Sequence, residues 1–245
     1  MWYPRLVLGA ALLPLALLVA RDVPAHLLDT PVPETAGPAT AYTAPRPAVV
    51  SRKAWRADES LVREEASYTG PVSAVFVHHT GHPNGYDCSD VPRMLRALET
   101  DHVEGQGWDD IGYNFVVDKC GTIYEGRGGG IGRPVYGAHT KGFNRNSVGV
   151  AALGTFGAGQ EVPRAVIDAI AEVAAWKLRP GADPQGRVRL VSTNDESRYD
   201  EGEAATFDVI AGHRDSHQTD CPGQALYDRL PEIREEATRL RALDP

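Results

Sequence analysis

Three side chains of metal-binding type are spread widely along this chain: His78, His213 and Cys221. His78 closes the run Val75-Phe76-Val77-His78. His213 and Cys221 bracket the segment His213-Arg214-Asp215-Ser216-His217-Gln218-Thr219-Asp220-Cys221. Two imidazoles and a thiolate occupy three corners of a tetrahedral zinc and leave the fourth open. That is the ligand count of a catalytic site, whereas structural zinc takes four protein ligands. An open zinc position implies hydrolytic chemistry. Two neighbours compete for the fourth place. His217 stands four residues after His213, a zinc-binding spacing on a helix, and Asp215 is a second candidate. Gly212 before this segment and Pro222-Gly223 after it argue for a strand end and a loop, which favours the open site. His79 adjoins His78, but side chains alternate across a strand, so it reads as packed or hydrogen-bonded on the other face.

The elements that must carry these residues follow from local pattern. Val72 to Val77 is an apolar, β-branched run after Gly70-Pro71 and reads as a buried strand ending at His78. Ser89 or Asp90 can cap a helix reaching about Val103, with Pro92 in its first turn. Ile111 to Asp118 reads as a strand, Thr122 to Glu125 as its hairpin partner, and Ser147 to Phe156 as another strand. Val162 to Arg179 is the clearest helix, with Val166, Ile167, Ile170, Val173 and Ala174 on one stripe and Pro180-Gly181 as its stop. Residues 181–205 read as a polar surface excursion. Phe207 to Ala211 then delivers His213, and a helical pattern runs from Gln224 with a fresh segment at Pro231. Strands alternating with helices define an α/β domain. The glycine-rich stretch 126–137 lacks the Gly-Lys-Ser/Thr ending and helix start of a phosphate-binding loop.

Composition sets the surroundings. The 245 residues are 42% hydrophobic and 24% charged, with net charge −8. This is ordinary for a globular protein and lacks the basic excess of a nucleic-acid binder. Met1 to Arg5 carries one positive charge, Leu6 to Ala20 is apolar, and Val23-Pro24-Ala25 offers small residues for cleavage. Fifteen apolar residues suit a signal peptide better than a span of about 20, so residues 1–25 are expected to be removed. Retained, they would anchor the chain in a membrane. Without them 23 basic residues face 32 acidic ones, a net −9. Residues 26–50, with five prolines from Pro31 to Pro47, read as a linker. Three cysteines in a secreted chain leave one over. Cys88 with Cys120 is one pairing and leaves Cys221 for a metal; the alternatives are that Cys221 pairs with either of the others or is simply buried.

The ordered motifs then become specific. Val77-His78-His79-Thr80, Trp108-Asp109-Asp110-Ile111-Gly112-Tyr113-Asn114-Phe115, Tyr124-Glu125-Gly126-Arg127-Gly128, Gly137-Ala138-His139-Thr140, Gly142-Phe143-Asn144, Ser147-Val148-Gly149-Val150, Gly212-His213-Arg214-Asp215 and Cys221-Pro222-Gly223 occur in one order. Together they resemble the peptidoglycan recognition protein family, whose enzymatic members are zinc-dependent N-acetylmuramoyl-L-alanine amidases (type 2 amidases). The resemblance covers about Ser51 to Leu240, placing the domain at 51–240, and is greatest to a secreted bacterial member. It implies a central mixed β-sheet flanked by helices, zinc held by His78, His213 and Cys221, and a Cys88–Cys120 disulfide. The family's catalytic tyrosine falls on Tyr113. Thr219 falls on a position held by Thr or Lys. The glycine-rich loop, His139 and Asn144 are expected along the peptide groove, and Arg127 is expected either there or bracing its own loop. The implied partner is peptidoglycan or a muropeptide, cut between N-acetylmuramic acid and L-alanine by a monomer in the extracellular space or cell wall. Where animal members carry a Trp after Glu-Gly-Arg-Gly, this chain has Gly129 and a longer loop, so no preference between diaminopimelate and lysine stems carries over. A non-catalytic binding module is the main alternative, opposed by Cys221 and Tyr113 both being present. A zinc peptidase is opposed by the lack of a His-Glu-x-x-His motif, and a purely structural zinc would need His217 or Asp215 as fourth ligand.

Overall fold

A computed structural model describes residues 44–242. The expected signal segment, residues 1–25, and most of the expected linker lie outside the described residues. Among the described residues eight strands are formed: β1 (Val49–Val50), β2 (Ala74–His79), β3 (Phe115–Val117), β4 (Ile123–Glu125), β5 (Ser147–Ala152), β6 (Arg187–Val191), β7 (Ala204–Asp208) and β8 (Ile210–Gly212). The helices are α1 (Arg52–Trp55), α2 (Val91–Thr100), α3 (Arg164–Lys177), α4 (His213–Ser216), α5 (Gln224–Tyr227) and α6 (Leu230–Ala242). Six strands form one mixed sheet in the order β1-β4-β3-β5-β2-β8. Its only antiparallel pair among the described residues is β3 with β4, the expected hairpin.

Alternation along β2 divides the core. Val75 and Val77 face one side, where α3 presents Val166, Ile167, Ile170 and Val173 and α6 presents Ile233 and Ala237. Each of these α3 residues is fully buried, a change worth about 1.5–3 kcal/mol per large aliphatic side chain. Phe76 and Ala74 face the other side, against Phe143, Phe207 and Ala211. Further along that face Val116 meets Trp55, Leu95 and Leu98. His78 shares the face of Phe76, so β2 aims its last inward imidazole away from the α3 layer.

Three expectations change. Val49–Val50 pairs in parallel with β4 and Ala44 is buried, so the folded domain starts before Ser51. Two β-branched residues next to an open strand edge are drawn into the sheet whatever the prolines before them. Residues 187–208 are not a loose excursion but the antiparallel pair β6–β7. Its outward positions carry the arginines that make the segment look polar, while Leu190, Ala205 and Phe207 are buried. The expected strand Phe207–Ala211 therefore divides between this hairpin and β8. Finally, α2 begins after a 3-10 turn at Cys88–Asp90, and neither Asp87 nor Asp90 caps a helix N–H with its side chain; α2 stops at Thr100 and continues as a π-type turn through Gly105.

Candidate metal centre

Register brings the cluster together. β2 and β8 are parallel neighbours with Val77 opposite Gly212, so the next residues, His78 within β2 and His213 just past the end of β8, stand side by side. Their ring centroids are 4.5 Å apart. The chain then turns through α4 and returns, with the Arg214 N–H donating to the Cys221 carbonyl at 2.9 Å. The Cys221 N–H donates to Thr219 Oγ1 at 3.2 Å, and the His79 N–H donates to Cys221 Sγ at 3.3 Å. One ligand atom each from His78, His213 and Cys221 lies within 4.8 Å of the others. Zinc–nitrogen and zinc–sulfur bonds of about 2.0 and 2.3 Å give tetrahedral edges of roughly 3.5 Å. The 3.8 Å between His78 Nδ1 and Cys221 Sγ suits such an edge. The donor set and its spacing fit zinc.

Burial prepares the ligands unequally. It holds the His78 imidazole well below its ordinary value, assisted by His213 and His139. The same cause brings His213 to about 4, with His217 and His79 adding to it. Both rings are neutral near pH 7 and have a lone pair to give. Burial pushes the Cys221 thiol the other way, up to about 12, against the opposing pull of the His79 N–H and Arg214. That thiol holds its proton until a cation displaces it.

The surrounding residues sort by where they stand. Tyr113 packs on the His78 ring at 5.2 Å between centroids, and its hydroxyl donates to the His79 carbonyl at 3.5 Å. Burial raises its phenol pKa, so it stays protonated and able to donate. Thr219 uses a lone pair to hold the Cys221 backbone, leaving its O–H free. His139 does not line a groove: it is only 5% exposed and sits behind His78, with its Nδ1 3.2 Å from His78 Nε2. Burial, with His213 and Arg127, lowers it to about 3. Asn144 Oδ1 accepts from the His139 and Thr140 N–H groups, so this side chain braces the loop that carries His139. The sequence placed both near the site through their motif; their inward direction depends on how the loop packs.

Asp215 Oδ2 accepts from the Gly212 N–H and Oδ1 from the Tyr227 hydroxyl, which commits its carboxylate to the turn. His217 stacks on His213 at 5.4 Å and does not join the ligand cluster. The His79 ring turns away and accepts from the Phe156 N–H. Arg127 donates to the Ile111 carbonyl and pairs with Asp109, bracing its own loop. His102 is buried and accepts from the Gly112 N–H beneath Tyr113. The glycine-rich loop borders a cleft of about 430 Å³ together with Glu65, Tyr68 and Arg133. Cys88 and Cys120 are joined by a disulfide and Cys221 is the free thiol. Asp118 lies near that disulfide, but bonded sulfurs are not metal donors.

A mixed sheet carrying a His-His-Cys cluster of metal-binding type at the ends of two parallel strands is what the comparison with known proteins also finds a counterpart for. Over residues 68–224 the sequence matches the N-acetylmuramoyl-L-alanine amidase family, and the chain belongs to it. A human N-acetylmuramoyl-L-alanine amidase is 35% identical over 163 residues, 65% of this chain and 24% of the human protein. A Bombyx mori peptidoglycan recognition protein is 31% identical over 183 residues, covering 74% of this chain and 79% of its own length. The matched part therefore spans about a quarter of the human relative and most of the silkworm one. Among solved structures, Drosophila peptidoglycan recognition protein LB superposes with TM-score 0.55 at 26% identity, covering 75% of this chain and 92% of that one. Protein LE in complex with tracheal cytotoxin, a monomeric diaminopimelic acid-type peptidoglycan, gives 0.58 at 25% identity, over 76% and 93%. No helix among the described residues is long and apolar enough to cross a membrane.

Proposed function

We propose that this chain is a zinc-dependent amidase that hydrolyses the bond between N-acetylmuramic acid and the L-alanine of the peptidoglycan stem. The observation that carries this reading is the convergence of His78, His213 and Cys221 within 4.8 Å beside a protonated Tyr113. A zinc ion held by those three residues would polarise the scissile carbonyl and acidify a water toward neutrality. Tyr113 donates its hydroxyl proton as a hydrogen bond where negative charge develops on the carbonyl oxygen. Thr219 has a free O–H two residues from Cys221 and offers a neutral donor near the departing amine. His78 and His213 are kept neutral by burial before a metal binds, so each has a lone pair to give it. The apolar N-terminal run supports action outside the cytoplasm, after cleavage near Ala25.

The test uses purified muropeptides with product identification by mass spectrometry, with and without a chelator. Expected is an intact stem peptide beginning at L-alanine, lost on chelation and restored by zinc. The Tyr113→Phe variant keeps its zinc and loses on the order of 100-fold in rate, as removal of an oxyanion donor does. Muropeptides bound but left uncut by the zinc-loaded protein would identify a binding module and overturn the enzyme reading.

A further inference from the structure

We propose that His139, backed by Ser147, is a positioning residue that selects the tautomer of His78 and so aims the His78 Nδ1 lone pair at the metal cluster. The proposal rests on the reading of His78 as a ligand. Its starting point is the Phe143 carbonyl, which can only accept. Ser147 Oγ lies 2.6 Å from that oxygen and must give it the hydroxyl proton. With its one proton spent, Ser147 meets His139 Nε2 at 3.4 Å as an acceptor, so Nε2 of His139 carries a hydrogen. A neutral imidazole has one N–H, which leaves His139 Nδ1 as a lone pair. That lone pair faces His78 Nε2 at 3.2 Å, so His78 carries its hydrogen on Nε2. Its remaining lone pair, on Nδ1, is the one turned toward Cys221 Sγ.

Metal-bound histidines ordinarily give their second N–H to a carboxylate, carbonyl or water. Here the acceptor is another imidazole, whose own direction is set by a backbone carbonyl two hydrogen bonds away. The seat for that ring is built closely. A Cβ on Gly149 would stand 2.3 Å from His139 Cγ, and one on Gly137 would stand 2.6 Å from His139 Cδ2. Phe76 and His78 pack against the ring from the sheet, and Asn144 fixes the His139 backbone. These neighbours fix the plane of the ring, and the Ser147 and His78 hydrogen bonds choose between its two orientations.

The first measurement is the tautomeric state of each ring in metal-free protein labelled with 15N-histidine. Nε2–H on both His78 and His139 is expected, and Nδ1–H on either overturns the proposal. The second is zinc affinity by competition with a chromogenic chelator, alongside melting temperature. His139→Leu should bind zinc about 10–100-fold more weakly. His139→Asn places Oδ1 where Nδ1 stood and should recover most of that loss at an equal or lower melting temperature. Equal affinity in the Leu variant and the wild type, or equal loss in Leu and Asn, refutes a positioning role. Should the Leu variant not fold, the tautomers and the Asn variant decide. Failure of the ligand reading looks different: wild-type protein takes up no zinc, or His78→Ala leaves uptake unchanged, whatever the tautomers.

Discussion

At the residue scale, Cys221 differs from its two partners in the state it holds before a metal arrives. His78 and His213 are already neutral, whereas the thiol sits at about 12 because burial opposes its charge. Below the ionisation of any zinc-bound water, zinc binding should therefore release about one proton, drawn from Cys221, and affinity should rise about tenfold per pH unit. Calorimetry at about pH 6, where such a water stays protonated, in two buffers of different ionisation enthalpy measures this; release near zero would mean that the thiol does not give up its proton to the metal. Cys221→Ser should abolish the release and most of the affinity. The three residues of the cluster were legible in the sequence as candidate ligands, since their types and motifs suffice to name them, and the structure brings them together. His139 was legible as a motif residue, but its role was not, because whether a loop histidine faces in or out is decided by the glycines and by Phe76 around it.

At the element scale, a short helix is tied to the site's supporting loops by one buried cation. Arg52 of α1 bonds Glu99 of α2 at 2.7 Å, Asp110 at 3.0 Å and the Gly126 carbonyl, with Glu59 at its outer edge. Asp110 in turn accepts from the Ile111 and Gly128 N–H groups, on the segments that lead to Tyr113 and the glycine-rich loop. Glu99 is fully buried, and its pKa is raised, foremost by burial, though Arg52 pulls it down. Arg52→Met should leave two buried carboxylates without their cation and cost about 3–5 kcal/mol in chemical denaturation. Adding Glu99→Gln should return part of it, and a loss below about 1 kcal/mol would show that the cluster is dispensable. A second tie joins the loop of His139 to α4, where Thr140 and Ser216 share a hydrogen bond of 2.7 Å. Long helices and buried strands such as α3 and β2 were readable from apolar periodicity. The pair β6–β7 was not, because a hairpin exposed on one face carries too few apolar residues to announce itself.

At the scale of the whole molecule, the domain encloses several uncharged histidines, and this sets its response to acid. His139 stands at about 3, His213 at about 4 and His102 at about 4, each lowered first by burial. Unfolding returns all three to about 6.5. Between these values the unfolded chain binds more protons than the folded one, so stability rises with pH in that window. The contribution is fully present above about 6.5 and is lost as pH falls toward about 4. Urea midpoints of the metal-free protein should therefore decline steadily from pH 7 to pH 4, and a flat profile would contradict neutral burial. The Cys88–Cys120 bridge closes a span of 32 residues and should add about 3–4 kcal/mol across that whole range.

The candidate ligand types, the tyrosine, the α/β class and the family could all be read without coordinates, because each is written in residue identity and short-range order. That Val77 lies opposite Gly212, bringing His78 and His213 together, could not. Nor could the entry of Val49–Val50 into the sheet or the place of His139 behind His78. Register and side-chain facing arise from contacts between segments far apart in the chain, and no local pattern contains them.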